Sequence, residues 1–146
     1  MNAAPDVRVP TAIRVGTDDD LRFIVASWAS TSRAIYPNGH AFDFWSRTTV
    51  DIRAHLERSS VLVAYLEGEP DEIVSYLVTV RHHTILVVHF AYTKEAARRQ
   101  GHVRSLLALA NPDGLGLTFT HPARNPNAMA AFCKRAIFDP EMWRHT

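Results

Sequence analysis

Residues 94–106, KEAARRQGHVRSL, set two adjacent arginines and a lone glycine directly after the apolar run ILVVHFAYT (85–93). A strand that ends in such a turn and opens a helix at Val103 leaves the first helical amides without partners, at the positive end of the helix dipole. That is a place for an anion, and a diphosphate matches several amides in a row. Arg99 and Arg104 add charged donors for a further phosphate. An ordinary solvated strand-to-helix turn uses the same residue types, so the position between strand and helix is what gives the pattern its specificity.

The side chains able to move a proton near neutral pH are histidines. His89 lies inside the run 84–93, where no acid occurs between Thr84 and Lys94, and His121 closes the stretch LGLTFTH. Tyr92 adds a phenol to the same run. Each of these also reads as a packed, hydrogen-bonded structural residue. No metal site is expected from the eight histidines: there is no HExxH or paired-cysteine spacing, and adjacent His82 and His83 fall on opposite strand faces. The single Cys133 excludes an internal disulfide and reads as a small core hydrophobe, and no G-x-S-x-G elbow is present.

The elements that must position these residues follow from periodicity. A strand over 9–15 leads into GTDDD, with Thr17 as N-cap and three aspartates at the helix N-terminus. Leu21, Ile24, Val25 and Trp28 then recur at helical spacing up to the turn YPNG (36–39). A second helix is expected over about 42–58, with Trp45, Thr49, Ile52 and Leu56 on one side. Strands at 61–67, 72–80 and 84–93, joined by short turns, are antiparallel neighbours. After the glycine turn, Val103, Leu106, Leu107 and Ala110 mark a third helix, stopped by NPDG, and a fifth strand covers 115–120. The helix between strands four and five permits a parallel right-handed crossover. A last helix over 125–136, entered through Pro126, and a short strand over 137–143 broken by Pro140 complete the chain.

At 146 residues and 47% hydrophobic content this is one domain with one core. The N-terminus MNAAPDVRVP has no apolar signal core, and no run approaches the roughly 20 apolar residues of a membrane span. A cytoplasmic protein with no membrane partner is expected. Residues 93–146 carry a net +4 against −3 for residues 1–92, a bias too dilute to mark a nucleic-acid surface by itself.

Taken together, the element order, RRQGHV and NPNAMAAFCKRAIF (125–138) resemble the GNAT superfamily of acyl-CoA-dependent N-acyltransferases, over about 12–143. The family signature Gln/Arg-x-x-Gly-x-Gly/Ala is met by Arg98 and Gly101, with Val103 in place of the small third residue. The resemblance implies an α+β fold, an α/β/α sandwich whose mixed sheet joins an antiparallel meander to one parallel βαβ unit. Strands four and five would splay apart, and the C-terminus is shortened. It implies acetyl-CoA as acyl donor, an amine as acceptor and direct transfer between them. The amides of Arg99, Gln100, Gly101, His102, Val103 and Arg104 would hold the diphosphate, with Arg99 and Arg104 near the 3′-phosphate. The backbone of Phe90, Ala91, Tyr92 and Thr93 would line the acyl and pantetheine slot. The family pattern Asn-x-x-Ala-x-x-x-Tyr is matched by Asn125 and Ala128, with Phe132 where the family has its proton-donating tyrosine. The usual strand-four glutamate is absent too, which leaves His89, His121 and Tyr92 as the candidate catalytic groups. Trp28, Tyr36, Phe42, Phe44 and Trp45 surround the turn that in the family lies over the acceptor.

Two other readings stay open. One is an inactive interaction protein on the same scaffold, with a sheet edge left free for a homodimer. The other starts from the segment HFAYTKEAARRQGHV, which is similar to GNAT-like proteins carried by bacteriophages, some of whose relatives modify DNA bases.

Overall fold

The structure, a computed structural model, describes residues 10–35, 41–121 and 136–146, and side chains within them except those of 33–35 and 41–46. Residues 125–135 of the helix expected over 125–136, with Asn125, Phe132 and Cys133, fall outside them, as do Tyr36 and the side chains of Phe42, Phe44 and Trp45. The order is β1 Thr11–Val15, α1 Leu21–Ile35, α2 Ala41–Arg58, β2 Ser60–Leu66, β3 Glu69–His82, β4 Ile85–Thr93, α3 His102–Ala110, β5 Gly116–Phe119, β6 Ile137–Phe138 and α4 Met142–His145.

Six strands form one sheet in the order β1-β2-β3-β4-β5-β6. The first four are antiparallel neighbours, as the short turns dictate, and β5 and β6 add parallel to β4. The helical faces set the layers. On one side Ile24, Val25 and Trp28 of α1 and Ile52 and Leu56 of α2 pack on Val63, Ile73, Tyr76, Val78 and Phe90. On the other, Leu106 of α3 seals against Ala64, Leu77 and Val88, with Leu107 and Ala110 alongside. The result is the expected α/β/α sandwich with a mixed sheet.

The C-terminal strand differs from expectation. Only Ile137 and Phe138 pair with β5, and Trp143 lies in the helical turn α4. Pro140 cannot donate to a ladder, and the Asp139 carboxylate accepts the Glu141 amide at 3.0 Å, so the chain turns instead of extending.

At the start of α1 the aspartate run forms one 3-10 turn, Asp18–Asp20, ahead of Leu21. Asp20 is buried, and its carboxylate accepts the Thr17 amide at 2.8 Å and two Arg14 guanidinium bonds at 2.6 and 2.8 Å. The Arg14 bonds hold the carboxyl below its ordinary range against the opposing effect of burial. Asp20→Ala removes the cap and the Arg14 ion pair, leaving the guanidinium only the Val15 and Pro70 carbonyls. A loss of about 2 kcal/mol in urea denaturation is expected, and a loss below about 0.5 kcal/mol would show that solvent substitutes for the carboxylate.

Candidate functional site

The parallel pairing of β4 with β5 runs from Ile85↔Gly116 to Val88↔Phe119 and closes with the Thr120 amide on the Val88 carbonyl at 3.2 Å. Among the described residues the pairing goes no further. At the same point β4 is irregular against β3: Thr79 pairs with Val88 but Val78 pairs with Phe90, so His89 is an extra residue, a β-bulge. Val88 belongs to the α3-side core and Phe90 to the α1-side core, although residues two apart in a regular strand share a face. The bulge bends β4, which continues beside β3 through Thr93.

After Thr93 the chain makes one 3-10 turn, Glu95–Ala97, with Ala97 buried, and Arg98 donates from Nε to the Thr93 carbonyl at 3.3 Å. Two residues in left-handed conformation follow, Arg99 at φ 65° and Gly101 at φ 80°. Gly101 caps α3, and the first intrahelical bond is Ser105 N–H to the Gly101 carbonyl at 3.0 Å. The amides of His102, Val103 and Arg104 precede that bond and have no acceptor within the helix. A Cβ at Gly101 would meet nothing within 4 Å, so the turn opens onto free space. Arg98, Arg99 and Arg104 are exposed. His102 turns its Nε2 into a buried position with no hydrogen-bond partner among the described residues, and burial lowers its pKa.

Where the described pairing of β4 with β5 ends sits a cluster that joins four elements. His89 is 1% exposed, with Nδ1 2.9 Å from Thr120 Oγ1 and Nε2 3.1 Å from Thr146 Oγ1. Thr120 Oγ1 also lies 2.9 Å from His121 Nδ1. His55 of α2 stands between the carbonyls of Asp51 and Trp143, at 2.9 and 2.7 Å, and its ring stacks on Trp143. Trp143 presents its edge to His89, His121 and Trp28, and Trp28 stacks on Phe90. Burial pushes His89 down to about 3, with His55, His121 and Arg58 adding to the effect. Burial likewise lowers His121 to about 4, against the opposing influence of the His89 backbone. Both rings are neutral at physiological pH.

The structure therefore brings His89 and His121 together and separates Tyr92 from them. Tyr92 stacks on Tyr76 and meets Phe23 of α1, with Phe90 and Trp28 between it and His121. Its carbonyl accepts the Ser75 hydroxyl at 2.6 Å. Phe90 is a core ring, while Ala91 packs toward α3, so any slot beside β4 is lined by backbone. Thr120, Thr146, His55 and Trp143 are the site residues that motif reading missed. Thr120 adjoins a candidate histidine, but nothing in the sequence signals that Trp143 meets His55, 88 positions away.

Among the described residues no three His, Cys, Asp or Glu side chains converge on a metal position, and no helix is long and apolar enough to cross a membrane. A groove of about 690 Å³, lined by Thr17, Leu56, Arg81, Leu86 and Asn111 among others, lies at the opposite end of the sheet. Leu86 and Thr93 are seven strand positions apart, ~23 Å, so that groove is separate from the glycine turn.

No family model and no curated protein matches the chain. Solved structures do. An acetyltransferase of the GNAT family from Staphylococcus aureus Mu50 aligns with TM-score 0.60 at 9% identity, over 84% of this chain and 81% of that one. The PaiA N-acetyltransferase of Thermoplasma acidophilum, solved with coenzyme A, aligns with TM-score 0.59 at 11% identity, over 86% and 87%. A possible acetyltransferase from Clostridium difficile 630 aligns with TM-score 0.60 at 16% identity, over 84% and 86%. At these identities the likeness establishes the fold, which is the GNAT fold.

Proposed function

We propose that this chain is an acyl-CoA-dependent N-acyltransferase that passes an acetyl or related acyl group directly to an amine. One juxtaposition carries the reading: the described pairing of β4 with β5 ends at Val88, and β4 runs on through Thr93 towards the open turn at Gly101, after which three amides have no acceptor within the helix. The described residues fit a coenzyme A thioester. The amides of His102, Val103 and Arg104 take the diphosphate, Arg99 and Arg104 add charge, and the β4 backbone beyond Val88 lines the pantetheine arm. The thioester supplies an activated acyl carbon with thiolate as leaving group.

The chain's own contribution is to remove the amine proton as the carbon–nitrogen bond forms. His89 is poorly placed for this, since both its nitrogens are engaged and it is almost wholly buried. His121 is the better base: only its Nδ1 is engaged by a side chain, that of Thr120, and the ring retains partial solvent exposure at the end of β5. The seclusion of His89 also favours a second reading, a protein that binds acetyl-CoA on this scaffold without turning it over.

Calorimetry with acetyl-CoA tests both at once. Micromolar to millimolar binding is expected, weakened about tenfold or more in Gly101→Ala, which pushes a Cβ into the open turn and costs about 1–2 kcal/mol in left-handed strain. No binding at millimolar acetyl-CoA would end both readings. Binding without acyl transfer to any of a panel of primary amines would leave the second.

A further inference from the structure

The hydrogen-bond chain through the buried cluster has a direction, and one end fixes it. Thr146 Oγ1 lies 2.6 Å from the Met142 carbonyl, which can only accept, so the single hydroxyl proton of Thr146 is committed there. His89 Nε2, 3.1 Å from the same oxygen, must then carry a proton and donate it. A neutral His89 with Nε2–H has a bare Nδ1, which accepts the Thr120 hydroxyl at 2.9 Å. Thr120 has no second proton, so its oxygen accepts from His121 Nδ1–H at 2.9 Å. His121 is left with Nε2 unprotonated.

From this we infer that Thr146, through His89 and Thr120, is a positioning residue that sets the tautomer of His121, with Nδ1 protonated and Nε2 bare, at the point where the described pairing of β4 with β5 ends. The inference deepens the acyltransferase reading and rests on it for the purpose of that nitrogen. The tautomer itself is a property of the protein alone. A base is useful only with its lone pair directed outward, and an imidazole held by one nitrogen in a fixed form loses no time or free energy in exchanging tautomers. The arrangement makes the turn α4 part of the site: its Trp143 presents an edge to both histidine rings at 4.9 and 4.8 Å, and Arg58 Nε holds the Thr146 carbonyl at 3.0 Å. Among the described residues neither His89 nor His121 has an acidic partner in the cluster to favour an imidazolium, and the Arg58 cation disfavours it at His89.

The test is long-range proton–nitrogen correlation NMR of the 15N-labelled full chain near pH 7, without acetyl-CoA or amine. The expected result is a single Nδ1–H form for His121 and a single Nε2–H form for His89. Thr146→Ala should abolish that purity, giving both rings mixed tautomers, and Thr146→Ser, which keeps the hydroxyl, should restore it. An Nε2–H form of His121 in the unmodified protein would overturn the inference. So would Thr146→Ala spectra identical to those of the parent. If the alanine variant fails to fold, the parent spectrum alone decides. Because no substrate is present, this outcome is independent of whether acetyl-CoA binds.

Discussion

Replacing His121 by alanine is expected to lower amine acylation by on the order of 10²–10⁴-fold while acetyl-CoA affinity stays within about twofold. The asymmetry follows from where the residue stands. The proposed diphosphate cradle at Gly101 lies beyond the far end of β4, and His121 follows the last described bond between β4 and β5. Removing the ring also removes its edge contacts with Trp28 and Trp143, at 5.7 and 4.8 Å, which costs about 1–2 kcal/mol of stability. Melting curves of the variant are therefore needed beside the kinetics. A folded His121→Ala protein that acylates amines at the parent rate would remove His121 from the mechanism.

A steep loss of stability between pH 7 and pH 5 is the second large effect. His89 and His121 have folded values of about 3 and about 4, against 6.5 in the unfolded chain. Between those limits the unfolded state binds a proton that the native state refuses, so stability falls as the pH falls and is flat above about 7. At 1.36 kcal/mol per unit, each histidine contributes about 2 kcal/mol of loss by pH 5, about 4 kcal/mol together. His102, lowered by its own burial, acts in the same sense. Asp20, with a depressed carboxyl, adds to the loss only as the pH approaches and passes its unfolded value of 3.8. Urea midpoints at pH 5, 6 and 7 measure the slope. His121→Asn should flatten it by about half, whereas a parent protein equally stable at pH 5 and 7 would show that the rings are charged or wet.

Much of the fold was legible because it rests on local periodicity. The spacing of Ile24, Val25 and Trp28, and of Leu106, Leu107 and Ala110, places those residues against the sheet where they are found. The short turns around β2, β3 and β4 allow only antiparallel pairing, and the helix between β4 and β5 allows a parallel one. The glycine turn was legible for a similar reason, since a left-handed residue before a helix is a backbone requirement that glycine announces. The histidine cluster was not. His55, His89, His121, Trp143 and Thr146 come from four elements, and their meeting depends on α4 folding back onto the end of α2. Pro140 signals an interruption there but not the direction of the chain after it.

The unpaired position of His89 also means that the bend of β4 is written in chain length. Val88 and Phe90 already face consecutive residues of β3, Thr79 and Val78, so excising His89 would leave an uninterrupted antiparallel ladder. A point substitution there changes what lines the bend, whereas a one-residue deletion removes the bend itself. Length variation within 85–93 should therefore be far less tolerated than exchange of residue type, the reverse of what an ordinary surface loop allows.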